Sequence, residues 1–234
     1  MIAQSTAAFP IDALVFDAYG TLFDVRSVAA TVESFFPSRG TAFAELWRSK
    51  QLEYSWLQSL MQSPTQRRED FAAVTAHALD YAADALDLAI TGVTRQRLLE
   101  AYLDLSAYPD AVPTLQRLGP RPRVILSNGT RAMLEPLAAA TGISSHLDAI
   151  LSVDAADIYK PSPRVYQLAL DHLSLSPIRI GFVSANAWDA IGAKAFGFTS
   201  FWINRHRLPF DRHGPRPDAV LGSLSELLPL VGSA

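Results

Sequence analysis

VFDAYGTLFD, residues 15 to 24, decides how the rest of the chain is read. An apolar run, Ala13 to Phe16, stops at Asp17, and the chain then turns through Gly20 and Thr21. A short apolar run bounded by turn residues reads as a strand buried on both faces, as in a parallel sheet. RVILSN (123–128), AILSV (149–153), IGFVSA (180–185) and SFWIN (200–204) have the same character. Between them stand the helical patterns AMLEPLAAATG, PRVYQLALDHL and NAWDAIGAKAFG, with Gly142 and Gly197 where glycines end helices. Strands alternating with helices predict an α/β sheet with right-handed crossovers.

Residues 25 to 106 break that rhythm. FAELWRSKQLEYSWLQSLM carries Phe43, Leu46, Trp47, Leu52, Tyr54, Leu57 and Leu60 at helical spacing. DFAAVTAHALDYAADALDL and TRQRLLEAYLDL are further helical stretches, and SPTQRRED between helices is a polar loop. The expected fold class is therefore α/β. A Rossmann-like parallel-sheet core, residues 1–24 and 107–234, carries an inserted helical cap subdomain, residues 25–106, with a site in the cleft between them.

Composition narrows the function. The chain has 234 residues, 49% hydrophobic and 18% charged, which suits a globular protein with a sizeable core. A formal net charge of −3 gives no pull toward nucleic acid or an anionic membrane. With no cysteine, disulfides, thiolate nucleophiles and thiolate metal sites are excluded. MIAQSTAAFP has neither the basic region nor the apolar core of a signal peptide, and no stretch is apolar enough to span a membrane, so a soluble cytoplasmic protein is expected.

Four strand ends carry polar groups at the edge where open parallel sheets bind ligands. Asp17, Gly20 and Thr21 follow the first, Ser127, Asn128 and Gly129 the second, and Lys160 the third. Ser184, Asn186 and Asp189 follow the fourth. Any one of these could be a local turn or cap. Together they supply a nucleophile, hydroxyl and amide donors, a cation and a second carboxylate.

DAYGT, LSNG, the lysine of YKP and SANAWD resemble the haloacid dehalogenase superfamily, whose usual first motif is DxDxT. FDAYGTLFDVRSV, LWRSKQLEYSWL, LSNGT, LSVDAADIYKPSPRVY and FVSANAWDAIGAKAFGF are similar to its L-2-haloacid dehalogenase (type II) branch over most of the chain. In phosphatase members the second acid protonates a departing alkoxide. A halide needs no proton to leave, so Tyr19 can stand there. Phosphatases also use acids at the first and last motifs to hold Mg²⁺, whereas this chain has Ser184 in the expected position. Both changes fit a substrate with one negative charge and no phosphoryl group, and no cofactor is expected.

The resemblance implies two-step covalent catalysis. Asp17 attacks C2 of an L-2-haloalkanoate, halide departs with inversion, and water hydrolyses the ester to a D-2-hydroxy acid. By the same resemblance Arg48 accepts the halide, helped by Asn128. Ser127 and backbone N–H groups at and after Ala18 hold the substrate carboxylate. Thr21 positions Asp17, Lys160 keeps it ionised, and Asp189 orients Lys160 or activates water. Ser184 and Asn186 position that water, and Tyr166 donates a hydrogen bond near the substrate or Arg48. Tyr19, Leu52, Phe71 and Trp188 form an apolar wall. A homodimer is implied; beyond substrate, water and halide no partner is.

Two features depart from the branch: Ser49 where glutamine is common, and SPTQRRED, which is longer than usual. Both bear on substrate range. Alone, Arg48 would read as a solvated helix residue and Lys160 as surface. Trp47, Tyr54 and Trp56 read as packing residues. His77, His146, His172, His206 and His213 are scattered and receive no role, and RHRLPFDRHGPRP (205–217) reads as a surface connection. The competing readings are a Mg²⁺-dependent phosphatase of the same superfamily, with phosphomonoesterase activity abolished by EDTA, and a non-catalytic binding protein on the same scaffold.

Overall fold

The structure, a computed structural model, describes residues 9–63, 65 and 67–232. The signal-peptide reading of residues 1–10 falls almost wholly outside this range, and two positions of the SPTQRRED loop do so as well. Six strands form one parallel sheet: β1 (Ala13–Phe16), β2 (Arg123–Ser127), β3 (Ala149–Ser152), β4 (Ile180–Ser184), β5 (Thr199–Ile203) and β6 (Ala219–Leu221). Their order is β3-β2-β1-β4-β5-β6. All four residues of β1 are fully buried, as a central strand covered on both faces requires. Each large apolar side chain so buried contributes about 1.5–3 kcal/mol.

The crossovers are helical. They are α5 (Ala111–Arg117), α6 (Arg131–Ala140), α7 (Pro163–Leu173) and α8 (Ala187–Phe196), and α9 (Leu228–Val231) closes the chain. Thr130 caps α6 by accepting the Met133 N–H, Pro163 opens α7, and Gly197 ends α8 at a φ of 112°. The alternation expected from sequence is present. The short edge strand β6 and helices α5 and α9 were not expected, since three to seven residues show too little periodicity to be read.

Between β1 and α5 lie α1 (Val28–Phe35), α2 (Gly40–Leu60), α3 (Phe71–Ala85) and α4 (Gly92–Leu103). The chain leaves and returns through adjacent backbone. Asp24 N–H donates to Ser106 O at 2.8 Å and Tyr108 N–H to Leu22 O at 2.9 Å. The helical segment meets the sheet's C-terminal edge through aromatic and polar contacts. Trp56 packs edge-on against Trp188, and Arg68 pairs with Asp154 at 2.6 Å. Tyr159 donates its hydroxyl to Glu69 O at 2.8 Å. Trp47, read as a packing residue, is buried and donates its indole N–H to Thr75 O. Among the described residues, no helix is long and apolar enough to cross a membrane.

Candidate active site

The strand order reverses at β1, with β2 on one side and β4 on the other. A crevice opens at such a switch point beyond the strands' carboxyl ends. Asp17 stands there, its N–H donating to Val183 O of β4 at 2.9 Å. Gly20 follows at a φ of +86°, a left-handed turn that glycine adopts without strain and that returns the chain beneath the carboxylate.

Three donors converge on Asp17. Thr21 Oγ1 donates to Oδ2 at 3.0 Å, and Asn186 Nδ2 donates to the same oxygen at 2.8 Å. Lys160 Nζ donates to Oδ1 at 3.2 Å. Oδ2 is thus pinned twice and Oδ1 once. Thr21 accepts in turn from Ala185 N–H at 2.8 Å, and Asn186 Nδ2 also donates to Tyr19 O, so the loops after β1 and β4 are tied together.

Lys160 is the electrostatic centre. Its ammonium also pairs with Asp189 at 2.9 Å and lies over the Phe182 ring, 4.9 Å from its centroid. Burial works against its charge, but the carboxylates of Asp189 and Asp17 outweigh that, and its pKa stands above the ordinary lysine value. Burial pushes the Asp189 carboxyl up to about 6, against the pull of Lys160. Tyr166 donates to Asp189 Oδ1 at 2.8 Å. Burial, with Asp189 beside it, raises the Tyr166 pKa well above the ordinary phenol value, so it stays a donor.

Tyr166, expected to donate near the substrate or Arg48, lies fully buried beneath Asp189, among Phe182, Phe196 and Phe198, because α7 packs under α8. Gly192 makes room, since a Cβ there would overlap the Tyr166 hydroxyl and approach Pro161 Cβ to 2.7 Å. Gly192→Ala is therefore expected to destabilise the fold by about 1–3 kcal/mol in urea titrations. Unchanged stability would show that this packing gives way freely. Ser184 ends β4. Its hydroxyl accepts Asn186 N–H at 3.1 Å and donates to Asn186 O, so it shapes the loop that carries Asn186.

The remaining candidates are spread over several elements. Asn128 accepts Lys160 N–H at 3.1 Å, and Ser127 Oγ accepts Gly129 N–H, at the end of β2. Arg48 of α2 reaches Asn186 Oδ1 with Nη2 at 3.5 Å, which joins the helical segment to the residue holding Asp17. The Tyr19 and Phe71 rings lie 5.8 Å apart, tilted by 33°, and Tyr19 also meets Tyr102 at 5.9 Å. Burial raises the Tyr19 pKa far above the ordinary range, and its hydroxyl has no hydrogen-bond partner. Leu52 and Ser49 line a cavity of about 660 Å³ with Arg48, Arg26 and Ala29. Trp188 packs on Trp56 and lines a different cavity with Pro161.

Sequence reading missed two features. Gln51, one turn after Arg48, accepts its Nη1 at 2.6 Å; the i, i+3 spacing was the available signal. Arg205 opens the loop read as a surface connection. It pairs with Asp110 at 2.7 Å, donates to Thr21 O at 3.2 Å and stacks on Tyr108. The rest of that loop is largely exposed, as expected.

The family model for haloacid dehalogenase-like hydrolases matches residues 11–197. A curated (S)-2-haloacid dehalogenase 1 from Pseudomonas sp. strain CBS-3 is 44% identical over 224 residues, 95% of this chain and 97% of the relative. The solved L-2-haloacid dehalogenase RSc1362 superposes with a TM-score of 0.91 at 43% identity, covering 94% of this chain and 98% of that one. The L-2-haloacid dehalogenase of Xanthobacter autotrophicus with chloropropionic acid covalently bound superposes with a TM-score of 0.85 at 38% identity, covering 93% and 96%.

Proposed function

Given that the chain belongs to the haloacid dehalogenase-like hydrolases and is a hydrolase of carbon–halide bonds, we propose that it converts short L-2-haloalkanoic acids to D-2-hydroxy acids through an ester of Asp17. Asp17 Oδ1, the oxygen with one hydrogen bond, attacks C2 from behind the carbon–halogen bond. The bonding pair leaves with the halide, and C2 inverts. Water then adds to the Asp17 carbonyl carbon, the C2 oxygen departs as the product hydroxyl, and the carboxylate is restored. The balance is one halide and one proton released for each water consumed.

One observation carries this reading. The carboxylate is clamped by three donors, while the position two residues on holds a buried tyrosine whose raised pKa suits no proton delivery. That is a site for a leaving group that departs as a stable anion. Arg48 meets the halide, and Asn128, at the Lys160 backbone, assists it. Ser127 and the backbone at Ala18 hold the substrate carboxylate. Asp189, with both oxygens accepting hydrogen bonds, orients Lys160 and Tyr166 beneath it. Tyr19, Phe71 and Leu52 wall the substrate, and residues 25–106 act as the cap over it.

Single-turnover hydrolysis in H₂¹⁸O with mass analysis tests the route. Label is expected in Asp17 after the first turnover and not in the hydroxy acid. Label entering the product directly would replace the ester with attack by water on C2.

The pH profile follows from the buried cluster. Below about pH 6 the Asp189 carboxyl takes up a proton, and Lys160 loses one of its two partners. Activity is expected to fall on the acid side, with kcat/KM bending near pH 6. Asp189→Asn is expected to remove that bend; a bend unchanged in the variant would assign it elsewhere.

The proposal extends to a homodimer. Leu57, Leu60 and Met61 end α2 exposed, Leu60 by 81%. Sedimentation of wild type is expected to give twice the chain mass, and a monomer at all concentrations would remove this part.

A further inference from the structure

Arg48 is held by neutral groups alone. Its Nη1 donates to Oε1 of Gln51 at 2.6 Å and its Nη2 to Oδ1 of Asn186 at 3.5 Å, both amide oxygens. Among the described residues, no carboxylate oxygen lies within 4.0 Å of its guanidinium nitrogens.

Gln51 is fully buried in α2, and both ends of its amide are hydrogen-bonded. Oε1 accepts a second bond from the Tyr102 hydroxyl of α4 at 2.9 Å. Nε2 donates to Thr75 Oγ1 of α3 at 2.6 Å, and Thr75 spends its own proton on Phe71 O. The amide therefore has one orientation. Its oxygen must face the two donors Arg48 and Tyr102, and its nitrogen must face the only acceptor, Thr75. Three helices meet at this side chain. A polar network so deep in apolar packing costs free energy unless complete, and a leucine would fill the space without that demand.

We propose that Gln51 is the positioning residue for Arg48. Locked by Tyr102 and Thr75, it aims the guanidinium at the leaving-group side of Asp17 and, being uncharged, leaves the full positive charge for the departing halide. A carboxylate in its place would hold the arginine equally well and cancel that charge. The inference rests on the proposed function, because it gives Arg48's charge a use.

The two half-reactions separate positioning from a merely structural role. Halide departs in the first and not in the second. Rapid quench of the full-length protein with L-2-chloropropionate, read as mass gain on the protein, gives ester formation; loss of that mass gives ester hydrolysis. Gln51→Leu is expected to slow ester formation about 10²-fold with hydrolysis unchanged. Inhibition by added bromide is expected to weaken in parallel. Gln51→Glu, which sets a carboxylate oxygen against Thr75 Oγ1, is expected to be less stable than wild type and to show the same slow first step. Thr75→Val, which removes one lock without touching Arg48, is expected to show a smaller change of the same kind, and it decides the matter should Gln51→Leu fail to fold. An active wild type whose variants form ester within about twofold of its rate, or lose both half-reactions equally, overturns the proposal. A wild type that releases no halide overturns the proposed function instead.

Discussion

Replacing Asp17 by asparagine is expected to abolish halide release, by at least about 10⁴-fold in kcat/KM, while leaving a folded protein. The loss has two parts. A carboxamide lacks the charge that drives displacement at C2, and its nitrogen offers no comparable nucleophile. The geometry adds the second. Thr21, Asn186 and Lys160 all present protons to this side chain, and only a carboxylate accepts from all three. An asparagine must turn its NH₂ toward at least one of these donors, so the side chain shifts as well as losing charge. Folding should survive, because Lys160 keeps its pair with Asp189 at 2.9 Å. The measurement is chloride release from L-2-chloropropionate together with the circular dichroism of the variant. Folded Asp17→Asn protein that still releases halide within about tenfold of wild type would move the nucleophile elsewhere.

The site depends on a division of labour between two layers. The sheet edge supplies Asp17, the proposed nucleophile, and the donors that fix it, all from loops at the switch point. The helical segment supplies Arg48, the group proposed to meet negative charge as it leaves. The contact between the layers at this point is the single long bond from Arg48 to Asn186, the residue that also holds Asp17. A group that touches both the nucleophile and the leaving-group cation can register one against the other. Alignment of carboxylate, carbon and halide is the main requirement of a displacement at carbon.

Local patterns carried much of this into the sequence. Each strand that reads as an apolar run does so because parallel strands are buried on both faces, and each ends in the polar residue that the sheet then gathers at one edge. Asp17, Thr21, Lys160, Asn186 and Asp189 were legible for that reason, and the structure bonds them to one another. The partner of Tyr166, Asp189, was not legible because it depends on how α7 lies under α8, a packing fact that a helical pattern does not contain. Gln51 was missed because its meaning lies in Tyr102 and Thr75, which come from two other helices. Arg205 was missed because a run of arginines, prolines and glycine reads as loop, and nothing local distinguishes the one arginine that folds back onto Asp110 and Thr21. The short elements α5, β6 and α9 hold too few residues for a period to show.

Lys160→Met should be the most damaging substitution for stability. The methionine keeps most of the aliphatic stem and removes the ammonium that lies over Phe182. Asp189, fully buried, and Asp17, with 8% of its side chain exposed, are then two carboxylates facing each other without a cation. Breaking a buried pair in this way costs about 3–5 kcal/mol, since the remaining charge is uncompensated. The sign of the pH dependence distinguishes this cause from poor packing. In wild type the lysine's folded pKa is raised, so its contribution is complete below the unfolded value and is lost only as pH rises through the folded one. In the variant the Asp189 carboxyl, already raised to about 6 by burial in wild type, loses the pull of the ammonium and is pushed further up. Its penalty is then present at high pH and disappears as pH falls and it protonates. The stability gap between variant and wild type in urea should therefore narrow from about pH 8 to about pH 5. Activity should not recover over that range, because the ammonium that faces Asp17 is gone. A gap of the same size at both pH values would show that the methionine disturbs packing and that the ammonium is not what balances these two acids.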